Sequence, residues 1–168
     1  IKTDDGGDPM KASGEGLKIE GFEIEAIGQV APDWNVTAGY TYVNSISSDV
    51  VQASTTIPQN IVKLYTNFKL PEQLWEGANQ FNIGFGVNWQ SEVTSKSSSA
   101  PKNTDGYVRQ DSYFLANANI GYTFSDALSA NLQVNNLFDE KYYQQVGFYN
   151  GVYWGEPRNV ILSLRAKF

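Results

Sequence analysis

The sequence predicts an all-β protein whose chain forms seven strands of a transmembrane antiparallel β-barrel, and three observations carry that prediction. Apolar and polar residues alternate with period two over seven segments. Large aromatic rings on the apolar faces gather near strand ends, with small aliphatics between them. The connections alternate between tight turns and long segments rich in Ser, Gly and Tyr.

The first strand sets Phe22, Ile24, Ala26, Gly28 and Val30 against Glu23, Glu25 and Gln29. In the second, "WNVTAGYTYVN", Trp34, Val36, Ala38, Tyr40 and Tyr42 share one face, with Asn35, Thr37, Gly39 and Thr41 on the other. The third sets Val62, Leu64, Thr66, Phe68 and Leu70 against Lys63, Asn67 and Lys69. The fourth places Phe81, Ile83, Phe85, Val87 and Trp89 opposite Asn82, Gly84, Gly86, Asn88 and Gln90. The fifth gives Phe114, Ala116, Ala118, Ile120, Tyr122 and Phe124 against Asn117, Asn119, Gly121 and Thr123. Leu128, Ala130, Leu132 and Val134 oppose Ser129, Asn131, Gln133 and Asn135 in the sixth. The seventh turns Val160, Leu162, Leu164, Ala166 and Phe168 one way and Asn159, Ser163, Arg165 and Lys167 the other.

A soluble sandwich alternates too, so the chemistry of the faces decides. Trp34, Phe68, Phe81, Phe124 and Phe168 mark one end of the apolar face, and Tyr42, Trp89, Phe114 and Phe138 mark the other. That is the pattern of aromatic girdles flanking a lipid-facing band, whereas a sandwich concentrates rings at mid-strand. The opposite face, of Asn, Gln, Gly, Thr and Ser, suits a wet lumen. No run approaches the ~20 apolar residues of a membrane helix.

"APD", "SDA" and "PEQLWEGANQ" are the short connections, while 45–59, 92–111 and 139–157 read as long loops. Short periplasmic turns and long outer loops orient the chain with its C-terminus in the periplasm. Single-chain bacterial barrels have an even strand count, so seven strands lead us to expect further ones upstream, and "IKTDDGGDPMKASGEG" reads as a loop entered partway.

Composition narrows the function. The net charge is −6, without the clustered basic face of a nucleic-acid binder. The chain has neither Cys nor His, which removes thiolate metal sites, Cys nucleophiles and the commonest general base. We expect no metal site, no catalytic residues and no enzyme. Glu23 and Glu25 read as wall residues that Lys63, Lys69 or Arg165 could pair with. "DDGGD" at 4–8 lacks calcium-loop spacing, and "GFGVNW" lacks the third Gly of a dinucleotide fingerprint. "NVT" at 35–37 lies in a strand, which discounts it as a glycosylation site.

"GFEIEA" at 21–26, "WNVTAGYTYVNS" at 34–45, "GVNWQSE" at 86–92, "VNNLFDEKYY" at 134–143 and "YWGEPRNVILSLRAKF" at 153–168 occur together and in order. On these stretches the chain resembles the C-terminal end of TonB-dependent outer-membrane receptors for ferric siderophores, of the ferrichrome, coprogen and pyoverdine type. The resemblance implies that residues 1–168 are the C-terminal portion of a 22-stranded plugged barrel, its last seven strands, with the plug domain outside this chain. It also implies uptake of a ferric siderophore, energised by TonB through an N-terminal segment, the TonB box, that these residues do not include. The multi-pass receptor would sit in the bacterial outer membrane as a monomer, against lipid and lipopolysaccharide. The alternative is a non-energised porin or structural barrel.

A ferric siderophore is coordinatively satisfied by its own oxygens, so its receptor needs no cofactor and no metal ligands. It needs aromatic surface and polar donors. The segment "YYQQVGFYNGVYWGEPR" supplies Phe148 and Tyr149 first, then Tyr153 and Trp154, as ligand-binding residues of the outer loops, and Arg109 could meet an anionic chelate. "NNLFDEKYY" reads as shaping the exit from strand to loop, with Asp139 and Lys141 in a turn. Terminal Phe168 resembles the sorting signal read by the outer-membrane assembly machinery. Deleting Phe168 is expected to lower the amount of assembled receptor in the outer membrane, scored by surface labelling; normal levels would refute that role.

Overall fold

The computed structural model describes residues 17–47, 50–51, 56–96, 106–148 and 151–168. "DDGGD" at 4–8 and Tyr149 lie outside the described residues. The strands in chain order are β1 (Leu17–Ala31), β2 (Trp34–Ser47), β3 (Val50–Val51), β4 (Asn60–Lys69), β5 (Phe81–Gln90), β6 (Val93–Lys96), β7 (Tyr107–Gln110), β8 (Tyr113–Ser125), β9 (Leu128–Asn135), β10 (Tyr143–Phe148), β11 (Gly151–Trp154) and β12 (Asn159–Ala166). Seven of them pair antiparallel in the order β1-β2-β4-β5-β8-β9-β12, and β3 pairs with the end of β2. These are the seven strands read from the sequence. The long segments, read as loops, differ: two hairpins, β6–β7 and β10–β11, stand on them as separate two-stranded sheets.

Register shows why the alternation is functional rather than incidental. Residues directly opposite on antiparallel strands share a face, and one row runs Gly28, Val36, Thr66, Phe85, Ala118, Val134, Val160 across all seven strands. The neighbouring row reads Gln29, Asn35, Asn67, Gly84, Asn119, Gln133, Ile161. A slip of one residue in any strand would exchange its apolar and polar sets. The turns hold the register in place: Asp33, with φ 63, closes the β1–β2 turn, and small register shifts near Val30 and Phe124 absorb the turn ends.

No large side chain among the described residues is fully buried. Ile24, Leu64, Ile83, Leu132 and Leu164 stay exposed on the apolar face, Leu164 at 71%. In water such a face would be an aggregation surface; against acyl chains it is the outer wall of a barrel. The girdles are visible as ring contacts. Trp34–Phe68, Trp75–Phe81, Phe81–Tyr122 and Tyr122–Phe124 lie at the short-turn end, with centroids 6.3, 6.1, 4.6 and 4.7 Å apart. Phe22–Tyr42 and Phe114–Phe138 lie toward the other, at 5.6 and 5.8 Å. From Trp34 to Tyr42 the path along β2 is about 26 Å at the rise of a strand, and the apolar band of such barrels is about 25 Å tall. Polar atoms on this face are satisfied within the wall: Trp34 Nε1–H donates to Thr66 Oγ1 at 2.7 Å and Tyr40 OH to Asn60 Oδ1 at 2.7 Å.

The lumen face is tiled with amides. Asn67 and Asn82 donate to each other at 2.5 and 2.7 Å, and Asn119 Nδ2 donates to Asn131 Oδ1 at 3.3 Å. The Tyr65 hydroxyl donates to Asn119 Oδ1 at 3.4 Å. A Cβ on Gly84 would stand 2.0 Å from Asn119 Oδ1 and 2.8 Å from the Tyr65 oxygen, so a larger residue there would displace both side-chain tips. Glu23 and Glu25 make no ion pair with Lys63, Lys69 or Arg165 among the described residues; β2 separates β1 from the lysines of β4, and Arg165 stands on β12 at the far end of the sheet.

The lipid and lumen assignments make a sharp test. Leu132→Arg is expected to destabilise the barrel in lipid vesicles by about 2–4 kcal/mol, as for arginine at the bilayer midplane, with Gln133→Arg costing much less. Denaturant unfolding in vesicles measures both, and equal costs would reverse or abolish the assignment.

Candidate functional site

Beyond the apolar band at the long-loop end, the buried side chains gather on the hairpins and at their bases. Val93 and Ser95 on β6, Val146 on β10, Tyr142 before it and Asn136 after β9 are all buried. The two hairpins lie together: β10 packs on β6 and β7, and the Tyr143 N–H donates to Gln110 Oε1 at 2.7 Å.

Of the ligand-binding residues expected from sequence, Tyr153 and Trp154 sit on β11 and are exposed, at 52% and 65%. The Trp154 ring lies 4.5 Å from the ring of Tyr143, its partner across the hairpin, which holds the indole while leaving most of its surface free. Phe148 ends β10, its backbone paired with Gly151. Arg109, on β7, is held by two carboxylates: Glu92, and Asp111, whose Oδ1 accepts from Nε at 2.8 Å. An anionic chelate would have to displace one of them to reach the guanidinium. Arg109 and the β11 aromatics thus belong to two hairpins that touch, while Phe168 lies at the opposite end of the wall, fully exposed.

Sequence reasoning placed "NNLFDEKYY" at the exit from strand to loop but did not reach the bonds by which it anchors β10–β11. After β9 the chain turns at Asn136–Asp139, where the Asp139 N–H donates to the Asn136 carbonyl at 2.9 Å. Asp139 and Asn136 both hold positive φ, 55 and 48, a region Asp and Asn tolerate better than other side chains. The Asn136 side chain is bonded on every side. Its Oδ1 accepts from Glu140 N–H at 2.8 Å, and its Nδ2 donates to the carbonyls of Glu140 and Glu156 at 2.9 and 3.0 Å. Its own N–H donates to Asn117 Oδ1 on β8 at 3.0 Å. Asp139 Oδ1 accepts from Arg158 N–H at 3.0 Å. Asp139 is thus in a turn, as expected, but the turn spans Asn136–Asp139 and leaves Lys141 out, and Asp139 bonds forward to Arg158.

Tyr142 completes the base. Its ring stacks on Tyr113 at 4.5 Å and covers Gly155, where a Cβ would stand 2.0 Å from the ring. The Gly155 N–H donates to the Tyr142 carbonyl at 2.8 Å. Burial pushes the Tyr142 hydroxyl above the usual tyrosine range; the backbone N–H of Glu156 offsets part of that rise and the Glu156 carboxylate adds to it. "NNLFDEKYY" and "GEPRN" are thus two halves of one structure, and the pair of strings nineteen or so residues apart was the available signal.

With this geometry in view, the comparisons with known proteins are direct. The profile described as TonB dependent receptor-like, beta-barrel matches residues 2–137. The chain belongs to this family. It is 34% identical over 151 residues to the ferripyoverdine receptor of Pseudomonas aeruginosa, covering 90% of this chain and 18% of that protein. It is 32% identical to the ferric-pyoverdine 358 receptor of Pseudomonas putida over 168 residues, 100% of this chain and 19% of the relative. Among solved structures it superposes on the ferripyoverdine receptor of the outer membrane of Pseudomonas aeruginosa bound to ferripyoverdine, with a TM-score of 0.79 at 34% identity, over 90% of this chain and 20% of that one. The chain spans about one fifth of the length of the relatives it matches.

Gly155→Ala is expected to push the Tyr142 ring off its seat and loosen the hairpin base. Heat-modifiability on gels should then show a normal barrel, while trypsin cleaves faster at Lys141 and Arg158. An unchanged cleavage rate would mean that the ring covering Gly155 contributes nothing.

Proposed function

We propose that this chain is the C-terminal part of the barrel of a bacterial outer-membrane receptor for a ferric siderophore of the pyoverdine class, which imports the chelate with energy delivered through TonB. The observation that carries the reading is likeness to a ferric-pyoverdine receptor over all 168 residues, the two outer hairpins included with the wall. A shared wall alone would argue only for a barrel. The plug and the TonB-contacting segment belong to other parts of such a receptor. The receptor works as a monomer in contact with lipid and lipopolysaccharide, its C-terminus in the periplasm and Phe168 as its assembly signal. It is a transporter rather than an enzyme.

The site chemistry suits that cargo. The chelate brings a filled coordination sphere, so what it asks of the protein is ring surface with polar tips, as Tyr153 and Trp154 offer on β11. Phe148 and Tyr149 are the first candidates for contact with the chelate, and Tyr153 and Trp154 the next. Arg109 contributes to an anionic ligand by exchanging a carboxylate partner for it.

Ferric pyoverdine added to the purified receptor should quench its Trp and Tyr fluorescence. Replacing Phe148 and Tyr149 together by Ala should raise Kd about tenfold or more, the scale of an aromatic anchor. Unchanged affinity at normal surface levels would exclude these two rings, and no quenching with the unaltered receptor would exclude this cargo.

A further inference from the structure

The string "VNNLFDEKYY" does a job that the transport reading leaves unassigned. Asn136 is 4% exposed and uses three hydrogen bonds of its side chain and one of its N–H to join three separate pieces of chain. Asn117 stands on the lumen face of β8, in the wall. Glu140 begins the approach to β10, and Glu156 follows β11. The two carbonyls that Asn136 holds therefore lie on the two stems of one hairpin, and the anchor lies in the barrel. Leu137 N–H donates to the Ala116 carbonyl at 2.7 Å, so the backbone stays zipped to β8 right beside the knot.

We infer that Asn136 is a positioning residue for ligand capture: it ties both stems of the β10–β11 hairpin to Asn117 of the wall, and so sets where the hairpin that carries Tyr153 and Trp154 stands. The inference rests on the proposed siderophore reading for its ligand, but the tether itself does not.

The residue type follows from the geometry. The position needs φ near 48, one acceptor and two donors on a short side chain, at a buried site. Asp has the backbone tolerance but no donors, and would set a charge against two carbonyls. Gln carries the same amide on a longer stem and tolerates positive φ poorly. Gly accepts the φ and removes the amide. Among the described residues no hydrogen bond joins Asn136 to Trp154 or Tyr153, so loss of the amide acts on binding through hairpin placement. Such a hairpin, a short ladder interrupted by register shifts, is held against local opening by these bonds.

Two variants separate placement from folding, each made in the whole receptor that carries this chain. Asn136→Gly keeps the backbone and its N–H bond to Asn117 while deleting the three side-chain bonds. Asn117→Ala deletes the wall anchor and leaves the amide in place. Three quantities are read: folded receptor by heat-modifiability, trypsin cleavage at Lys141 and Arg158, and Kd for ferric pyoverdine by fluorescence quenching. Asn136→Gly is expected to give normal folded receptor, cleavage faster by about tenfold, and Kd raised by a similar factor. Asn117→Ala should move both in the same direction by less. The inference is overturned if cleavage and Kd stay within twofold of the unaltered receptor, if cleavage rises with Kd unchanged, or if neither variant yields folded receptor, which would make the knot a folding element. If the unaltered receptor binds no ferric pyoverdine, the functional reading falls, and the cleavage rates alone then support or overturn the tether.

Discussion

Every backbone N–H and C=O that crosses the hydrocarbon must be bonded within the protein, because no water is there to take it. That constraint produces the wall. It selects strands paired on both sides, and continuous antiparallel ladders from β1 to β12 follow from it. Once the backbone is committed to ladders, side chains alternate by geometry, and each residue must suit lipid or lumen according to its parity. The amide tiling of the lumen face and the bare aliphatics of the lipid face are two readings of one rule. Asn67–Asn82 and Trp34–Thr66 show that even the polar tips obey it, bonding across strands within the sheet.

Where the chain leaves the bilayer the constraint lifts, and the mode of construction changes with it. The hairpins β6–β7 and β10–β11 have short ladders with register shifts in the latter. Their fixed points are made by side chains instead: Gln110 on Tyr143, Asn136 on both stems, Tyr142 covering Gly155. This division suits a receptor. The wall must be stable in lipid whatever the cargo, while the hairpins need exposed aromatic surface and a defined position. Exposed Tyr153 and Trp154 on a small sheet, with a buried polar knot beneath it, meet both needs. Arg109 fits the same pattern, since two carboxylates fix a side chain that would otherwise sweep freely, at little gain in stability for exposed pairs.

The wall was legible in the sequence because its signal is long and redundant. Strands of eight to fifteen residues repeat one parity, and girdle residues such as Trp34, Phe81 and Phe124 mark where it starts and stops. The hairpins were not legible. Four-residue strands such as "VTSK" and "YVRQ" give too few alternations to separate from a loop, and no membrane face disciplines their composition. The bonding role of Asn136 was missed for a different reason. Its partners Glu140 and Glu156 are reached through their backbones, and a backbone carbonyl leaves no trace in residue identity. Asp139 was placed in a turn correctly, but its bond to the Arg158 N–H crosses the whole hairpin and no local rule sees it. Side-chain chemistry that speaks to side chains is readable from spacing; side-chain chemistry that speaks to remote backbone is not.

The same hydrocarbon constraint bears on how this stretch of chain reaches its working state. β1 bonds to β2 alone and β12 to β9 alone among the described residues, so each presents one edge of unpaired N–H and C=O groups. In lipid each such group costs on the order of several kcal/mol, and two edges of eight residues or more carry far more than the few kcal/mol by which a folded protein is stable. Seven strands therefore cannot lie open in a bilayer; they are stable there only when both edges are paired with other strands. The solved relative on which the chain superposes with a TM-score of 0.79 is about five times longer. The ordering of events follows: edge pairing and membrane insertion must be coupled, since an inserted open sheet is too costly and a closed barrel with an apolar outer face is insoluble in water.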